Sequence, residues 1–131
     1  MKRMTPDQSL LMKLDGRIQN ATAAGINADC VSRSFCPKLS IAEDPVCGSA
    51  YCQIAAYWSD IFGKRTIKAF QASKRGGCLQ CELLDDGRIN LKPAKLNTCR
   101  HGRPEKAADL KNLLFFSSGP GDSCDSPCIL S

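Results

Sequence analysis

The chain has 131 residues, 43% of them hydrophobic and 6% aromatic, which is enough for one modest core and excludes two independently stable domains. A formal charge of +5 makes the surface mildly basic: it admits anionic partners but falls short of the clustered charge of a dedicated nucleic-acid binder. Nine cysteines exceed what an ordinary cytosolic enzyme carries, and their odd number either leaves a thiol over or points to metal.

In chain order, Thr5-Pro6-Asp7-Gln8 resembles a capping box with proline at the first helical position. Leu11, Leu14, Ile18 and Ala21 recur at helical spacing before Gly25, so the pattern predicts one amphipathic helix over 6–24. From Ala28 to Tyr51 the chain reads as a cysteine-held loop broken by Pro37, Pro45 and Gly48. Ile54, Trp58, Ile61 and Phe62 predict a second helix that Gly63 ends, with Trp58 in the core. Thr66 to Phe70 alternates as a strand and leads into a basic turn at Lys74-Arg75-Gly76-Gly77. Leu83-Leu84 and Ile89 to Leu91 flank Asp86-Gly87, a pair suited to the positive φ of a hairpin turn. A third helix is expected from Pro104 through Leu114, then a breaker over Ser117 to Asp122 and a tail holding Cys124 and Cys128.

These elements predict an α+β fold: a small cysteine-stabilised domain with a short antiparallel sheet and two to three helices. Its parts are an N-terminal helical extension over 1–29, a cysteine-rich core over 30–81, and a hairpin, helix and cysteine-containing tail over 82–131, packed as one domain. No stretch approaches the ~18 apolar residues that cross a bilayer, and the N-terminus lacks the h-region of a signal peptide. Cysteine content points to a secreted mature form, and the missing leader to an intracellular one.

The central segment resembles the Kazal family of serine protease inhibitors. Cys36-Pro37-Lys38-Leu39 matches the family's first cysteine and specificity position. Asp44-Pro45-Val46-Cys47-Gly48-Ser49 resembles its Pro-Val-Cys-Gly-Ser run, Cys52 its helix-opening cysteine, and Thr66 through Gly76-Gly77-Cys78 its closing strand. The resemblance covers residues 30–78 and implies an inhibitory loop of Pro37, Lys38 and Leu39, with Lys38 filling the acidic pocket of a trypsin-like protease.

Whatever the family, the cysteines Cys30, Cys36, Cys47, Cys52, Cys78, Cys81, Cys99, Cys124 and Cys128 are expected to form the framework, with Cys78 and Cys81 both bonded. The alternative to disulfides is zinc. Cys78-Leu79-Gln80-Cys81 has knuckle spacing, and Cys47 with Cys52, Cys99 with His101, and Cys124 with Cys128 are further pairs for Cys₄ or Cys₃His sites. Catalysis is not expected: His101 is the one histidine available as a base, and Glu43-Asp44 and Asp85-Asp86 read as solvated loop carboxylates. The sequence therefore reads as a non-enzymatic module that binds another protein, a serine protease in the sharpest form, with no cofactor and no membrane. The alternative is a zinc-binding module or effector that binds a host protein or nucleic acid.

Overall fold

The computed structural model describes residues 1–94, 114–118 and 129–130. Asp7, rather than Thr5, caps the first helix, α1 (Gln8–Leu11), its carboxylate accepting from the N–H groups of Ser9 at 2.8 Å and Leu10 at 3.3 Å. The helix stops after one turn, and Gly16 reverses the chain at φ 80°. Residues expected to continue the helix form a strand instead, β1 (Ile18–Ala24). The apparent helical spacing of Leu11, Leu14, Ile18 and Ala21 is an accident of this junction. Five consecutive residues of β1 are buried, because both of its faces are covered and no alternation survives to mark it as a strand.

The segment expected to be a loop is the middle of a sheet. Strand β2 (Cys30–Cys36) pairs antiparallel with β1, and a single 3-10 turn at Pro37–Leu39 leads to β3 (Ile41–Asp44), which folds back on the outer half of β2. Helix α2 (Ala50–Phe62) then crosses over to β4 (Thr66–Gln71), which lies parallel to the inner half of β2. A parallel return needs such a crossover, and α2 supplies it. Gly63 ends α2 at φ 60°, as the sequence predicts, and β4 follows as expected. Beyond it, β5 (Gly77–Leu83) and β6 (Ile89–Ala94) form the predicted hairpin across Asp86-Gly87, with Gly87 at φ 81°. Strand β7 (Leu114–Ser118) pairs with β1, and β8 (Ile129–Leu130) lies parallel to β6.

Among the described residues the result is an eight-stranded mixed sheet, ordered β7-β1-β2-β4-β5-β6-β8 with β3 on β2. This replaces the expected small cysteine-stabilised domain with a short antiparallel sheet. Leu114, assigned to a third helix by its spacing, and Ser117, assigned to a breaker, both lie in β7. The rest of that predicted helix is outside the described residues.

Each face of the sheet has its own core. On one face α2 lays Tyr51, Ile54, Ala55 and Trp58 against Ile67, Leu79, Cys81 and Leu91. On the other, Leu11, Ala21 and Phe35 pack with Met1 and Met4. Arg33 of β2 ties the N-terminal segment to this second face. Its guanidinium grips Glu43 of β3 through two bonds, Nε to Oε1 at 2.7 Å and Nη2 to Oε2 at 2.8 Å, and its Nη1 donates to the carbonyls of Met1 and Met4. The side chains are only 11% and 20% exposed, so little water competes for the pair. Glu43 is thus a structural ion-pair partner and not the solvated loop carboxylate its position suggests.

Replacing Arg33 with methionine leaves Glu43 unpaired and should cost about 3 kcal/mol in urea denaturation. Arg33→Lys should recover only part of that loss, because an ammonium cannot grip both carboxylate oxygens in the fork geometry.

Candidate functional site at the start of helix α2

Strand β2 changes partner partway along its edge. Ser32 faces Gln71 of β4 and Ser34 faces Asp44 of β3, so the end of β3 and the end of β4 meet beside the same stretch of β2. The chain leaves that point through Asp44-Pro45-Val46-Cys47-Gly48-Ser49 and enters α2 at Ala50. A change of strand partner at the C-terminal end of a strand is where open sheets with crossover helices leave a crevice for ligands.

The turn is held from within. Asp44 accepts the Val46 N–H on Oδ1 at 2.9 Å, a local turn that aspartate favours. From β4, the Gln71 side chain accepts the Cys47 N–H at 2.8 Å and donates to the Asp44 carbonyl at 2.7 Å, while Ser73 Oγ donates to the Pro45 carbonyl at 2.7 Å. Tyr51 and Cys52 donate their N–H groups to the carbonyls of Gly48 and Ser49. That leaves the N–H groups of Gly48, Ser49 and Ala50, in sequence, without an acceptor among the described residues. Ser49 occupies the N-cap but its side chain makes no capping bond, and the first turn of the 13-residue helix contains no acidic residue. The positive end of the helix dipole is therefore uncompensated and meets solvent at the exposed Ser49.

Two further polar groups lie on the strands that lead to this point. Asp44 is half-buried, and Ser34, opposite it, is fully buried with a hydroxyl that has no hydrogen-bond partner. Outside the turn runs an open groove of about 620 Å³ lined by Ala42, Glu43, Pro45, Ser73, Lys74 and Arg75. Lys74 and Arg75 are exposed and add positive potential along this groove. The backbone passes close to this turn at Gly77, where a Cβ would lie 2.5 Å from Val46 Cγ2.

Five of the six described cysteines do not form the expected framework. Cys30, Cys36, Cys47, Cys78 and Cys81 are buried and form no disulfide, so Cys78 and Cys81 are not bonded as expected, and no disulfide joins two described cysteines. Cys52, by contrast, is disulfide-bonded. Burial, reinforced by nearby Cys47 and Asp44, pushes the Cys36 thiol up to about 11, and burial alone pushes Cys81 up to about 12. Both are neutral packing groups at ordinary pH. Among the described residues no three His, Cys, Asp or Glu side chains converge as metal ligands, and Cys47 and Cys52 do not join Cys78 and Cys81 in a zinc site. Cys99, His101, Cys124 and Cys128 lie outside the described residues. The expected inhibitory loop of Pro37, Lys38 and Leu39 is a tight 3-10 turn, with Lys38 Nζ donating to the Leu14 carbonyl.

Comparison with known proteins points elsewhere than to protease inhibitors. The family model of phenazine biosynthesis-like proteins, PhzC-PhzF, matches residues 1–95. An uncharacterized isomerase of Halalkalibacterium halodurans is 40% identical over 88 residues, 66% of this chain and 33% of the relative. Another uncharacterized isomerase, from Pseudomonas aeruginosa, is 44% identical over 78 residues, 60% of this chain and 30% of the relative. A crystal structure of a PhzF-family protein from Enterococcus faecalis matches with a TM-score of 0.63 at 44% identity, covering 69% of this chain and 37% of that one. The chain spans about a third of the length of the curated relatives it matches. These matches overturn the Kazal resemblance, the protease-inhibitor and zinc-module readings, and the expectation of a non-enzyme. The Asp44 to Ser49 run that carried the resemblance is a strand-to-helix turn, which sequence reading missed as a site. Its signal was present: Gly48-Ser49 directly precedes an apolar 3.6-residue period.

Gly77→Ala should drive Val46 out of position and lower stability by about 1–3 kcal/mol in thermal denaturation, with Val46→Ala in the same chain restoring most of it. The folded protein should leave Cys36 and Cys81 unalkylated by iodoacetamide at pH 8, and both should react once urea unfolds it. An unfolded thiol titrates near 9.0, so the folded state binds more protons between that value and about 11, and stability should fall as pH rises through this window.

Proposed function

The chain belongs to the phenazine biosynthesis-like (PhzC-PhzF) family, and from that premise we propose that it takes part in an isomerase reaction, with the turn Asp44 to Ser49 and the start of α2 as the seat of a small carboxylate substrate. The observation that carries this reading is the run of three consecutive N–H groups, at Gly48, Ser49 and Ala50, left over at the uncapped positive end of α2. Such a run forms a concave donor set suited to an oxyanion, and the aligned helix dipole favours negative charge there. The names of two relatives as isomerases support the class of reaction.

Asp44 is the group placed to move a proton. Its Oδ1 is fixed by the Val46 N–H, which orients the carboxylate beside the donor run and leaves the other oxygen for a substrate. A carboxylate within reach of an anchored substrate can act as general base and then return the proton elsewhere on the same molecule, which is what an isomerisation by proton shift requires. Lys74 and Arg75 along the groove would draw an anionic substrate toward the turn.

The test uses the full chain. Acetate added to ¹⁵N-labelled protein should shift the amide signals of Gly48, Ser49 and Ala50. Ser49→Asp, which puts a carboxylate in the same seat, should abolish that response while raising helix stability by a few tenths to about 1 kcal/mol. In deuterated water, wild type should introduce solvent deuterium into one or more members of a panel of unsaturated and hydroxy-carboxylic acids, read by mass spectrometry. Asp44→Asn should lose the exchange but keep acetate binding. Acetate shifts scattered over the surface, with none at these three amides, would remove the seat.

A further inference from the structure

We propose that Gln71 is the positioning residue of this carboxylate seat, an inference that rests on the reading of the α2 start as an anion site. Gln71 has no solvent exposure, yet none of its polar groups is spent on the core. Its Oε1 takes the Cys47 N–H at 2.8 Å, and its Nε2 gives to the Asp44 carbonyl at 2.7 Å. One amide thus bridges the first and fourth residues of the turn. Both partners are backbone groups, so what Gln71 dictates is the path of the chain, whatever side chains the turn carries.

That path decides where the donor run points. Cys47 is immediately followed by Gly48, Ser49 and Ala50, so a displaced Cys47 N–H carries all three donors with it, and a displaced Asp44 carbonyl moves the carboxylate on the same residue. Catalytic and binding groups lose much of their effect when they shift by about 1 Å. Ser34, whose fully buried hydroxyl has no hydrogen-bond partner, pairs with Asp44 in the sheet register. Ser73, two residues beyond Gln71, repeats the pattern on the Pro45 carbonyl, and its hydroxyl also accepts the Gly76 N–H, which fixes the clamp to the following turn.

A glutamine with a merely structural role would lower stability when replaced but leave the affinity of the folded molecules untouched. The decisive experiment therefore measures acetate binding to the full chain at a temperature where each variant is wholly folded, following the Gly48, Ser49 and Ala50 amides and the hydrogen exchange of the Cys47 N–H. Gln71→Met removes both bonds at similar volume and should weaken acetate binding about tenfold, with Cys47 protection lost. Gln71→Glu keeps the acceptor for Cys47 and should weaken binding about threefold, with that protection retained. A folded Gln71→Met that binds within twofold of wild type would overturn the role of Gln71. If Gln71→Met does not fold, Gln71→Glu decides: unchanged affinity overturns the proposal, and weakened affinity with a protected Cys47 amide supports it. Wild type that fails to bind acetate overturns the seat itself, an outcome distinct from variants that bind as well as wild type.

Discussion

Strand β2 has two edges and three partners, and much of the architecture follows from how it divides them. One edge is taken by β1 over its length. The other is shared, with Cys30 to Ser32 on β4 and Ser34 to Cys36 on β3. Because β3 runs antiparallel and β4 parallel, the chain must leave the sheet at Asp44, cross it, and return in the same direction as β2. Helix α2 is that crossing. Its N-terminus is consequently placed where the two pairings of β2 meet, which is also where Gln71 can reach the Asp44 carbonyl.

The face of β1 and β2 under α2 is unusually polar for a core, and it is held by hydrogen bonds to the helix as well as by apolar contact. Ser32 Oγ lies 2.7 Å from the Tyr51 hydroxyl, and the Trp58 ring N–H donates to Thr22 Oγ1, which in turn donates to the Val31 carbonyl. Buried hydroxyls satisfied in this way cost little, whereas any slip of α2 along the sheet would orphan them. Burial pushes the Tyr51 hydroxyl well above its ordinary titration range, so it stays a neutral partner. Trp58 also stacks on Phe62 with ring centroids 5.2 Å apart, which secures the far end of the helix. The register of α2 along the sheet is set by these partners.

Five of the described cysteines contribute as small apolar residues. Cys30, Cys47 and Cys81 belong to the core beneath α2, and no covalent or metal link joins them. A mixed sheet with a core on each face already excludes water around these five side chains, so their burial needs no cross-link between them. A count of cysteines is blind to whether the side chains lie in contact and to whether a sheet already excludes water around them.

Some of this was legible in the chain alone. The second half of α2, its stop at Gly63, strand β4 and the Asp86-Gly87 hairpin follow from local periodicity and from residues that accept positive φ, and these short-range rules hold wherever the segment is placed. Strands β1 and β2 were not legible, because Thr22 and Ser32 are polar residues that only a partner from α2 or a neighbouring strand makes burial-worthy. The run Asp44 to Ser49 stood out by its residues but was assigned the wrong role, since the same six letters serve a disulfide loop or a strand-to-helix turn equally well. What separates the two is long-range: β3 and β4 dividing one edge of β2, and a glutamine 27 positions beyond Asp44 closing the turn from beneath. Sequence determined which segments could bend, coil or extend; the tertiary structure decided which backbone donors were left without partners, because that depends on neighbours far away in the chain.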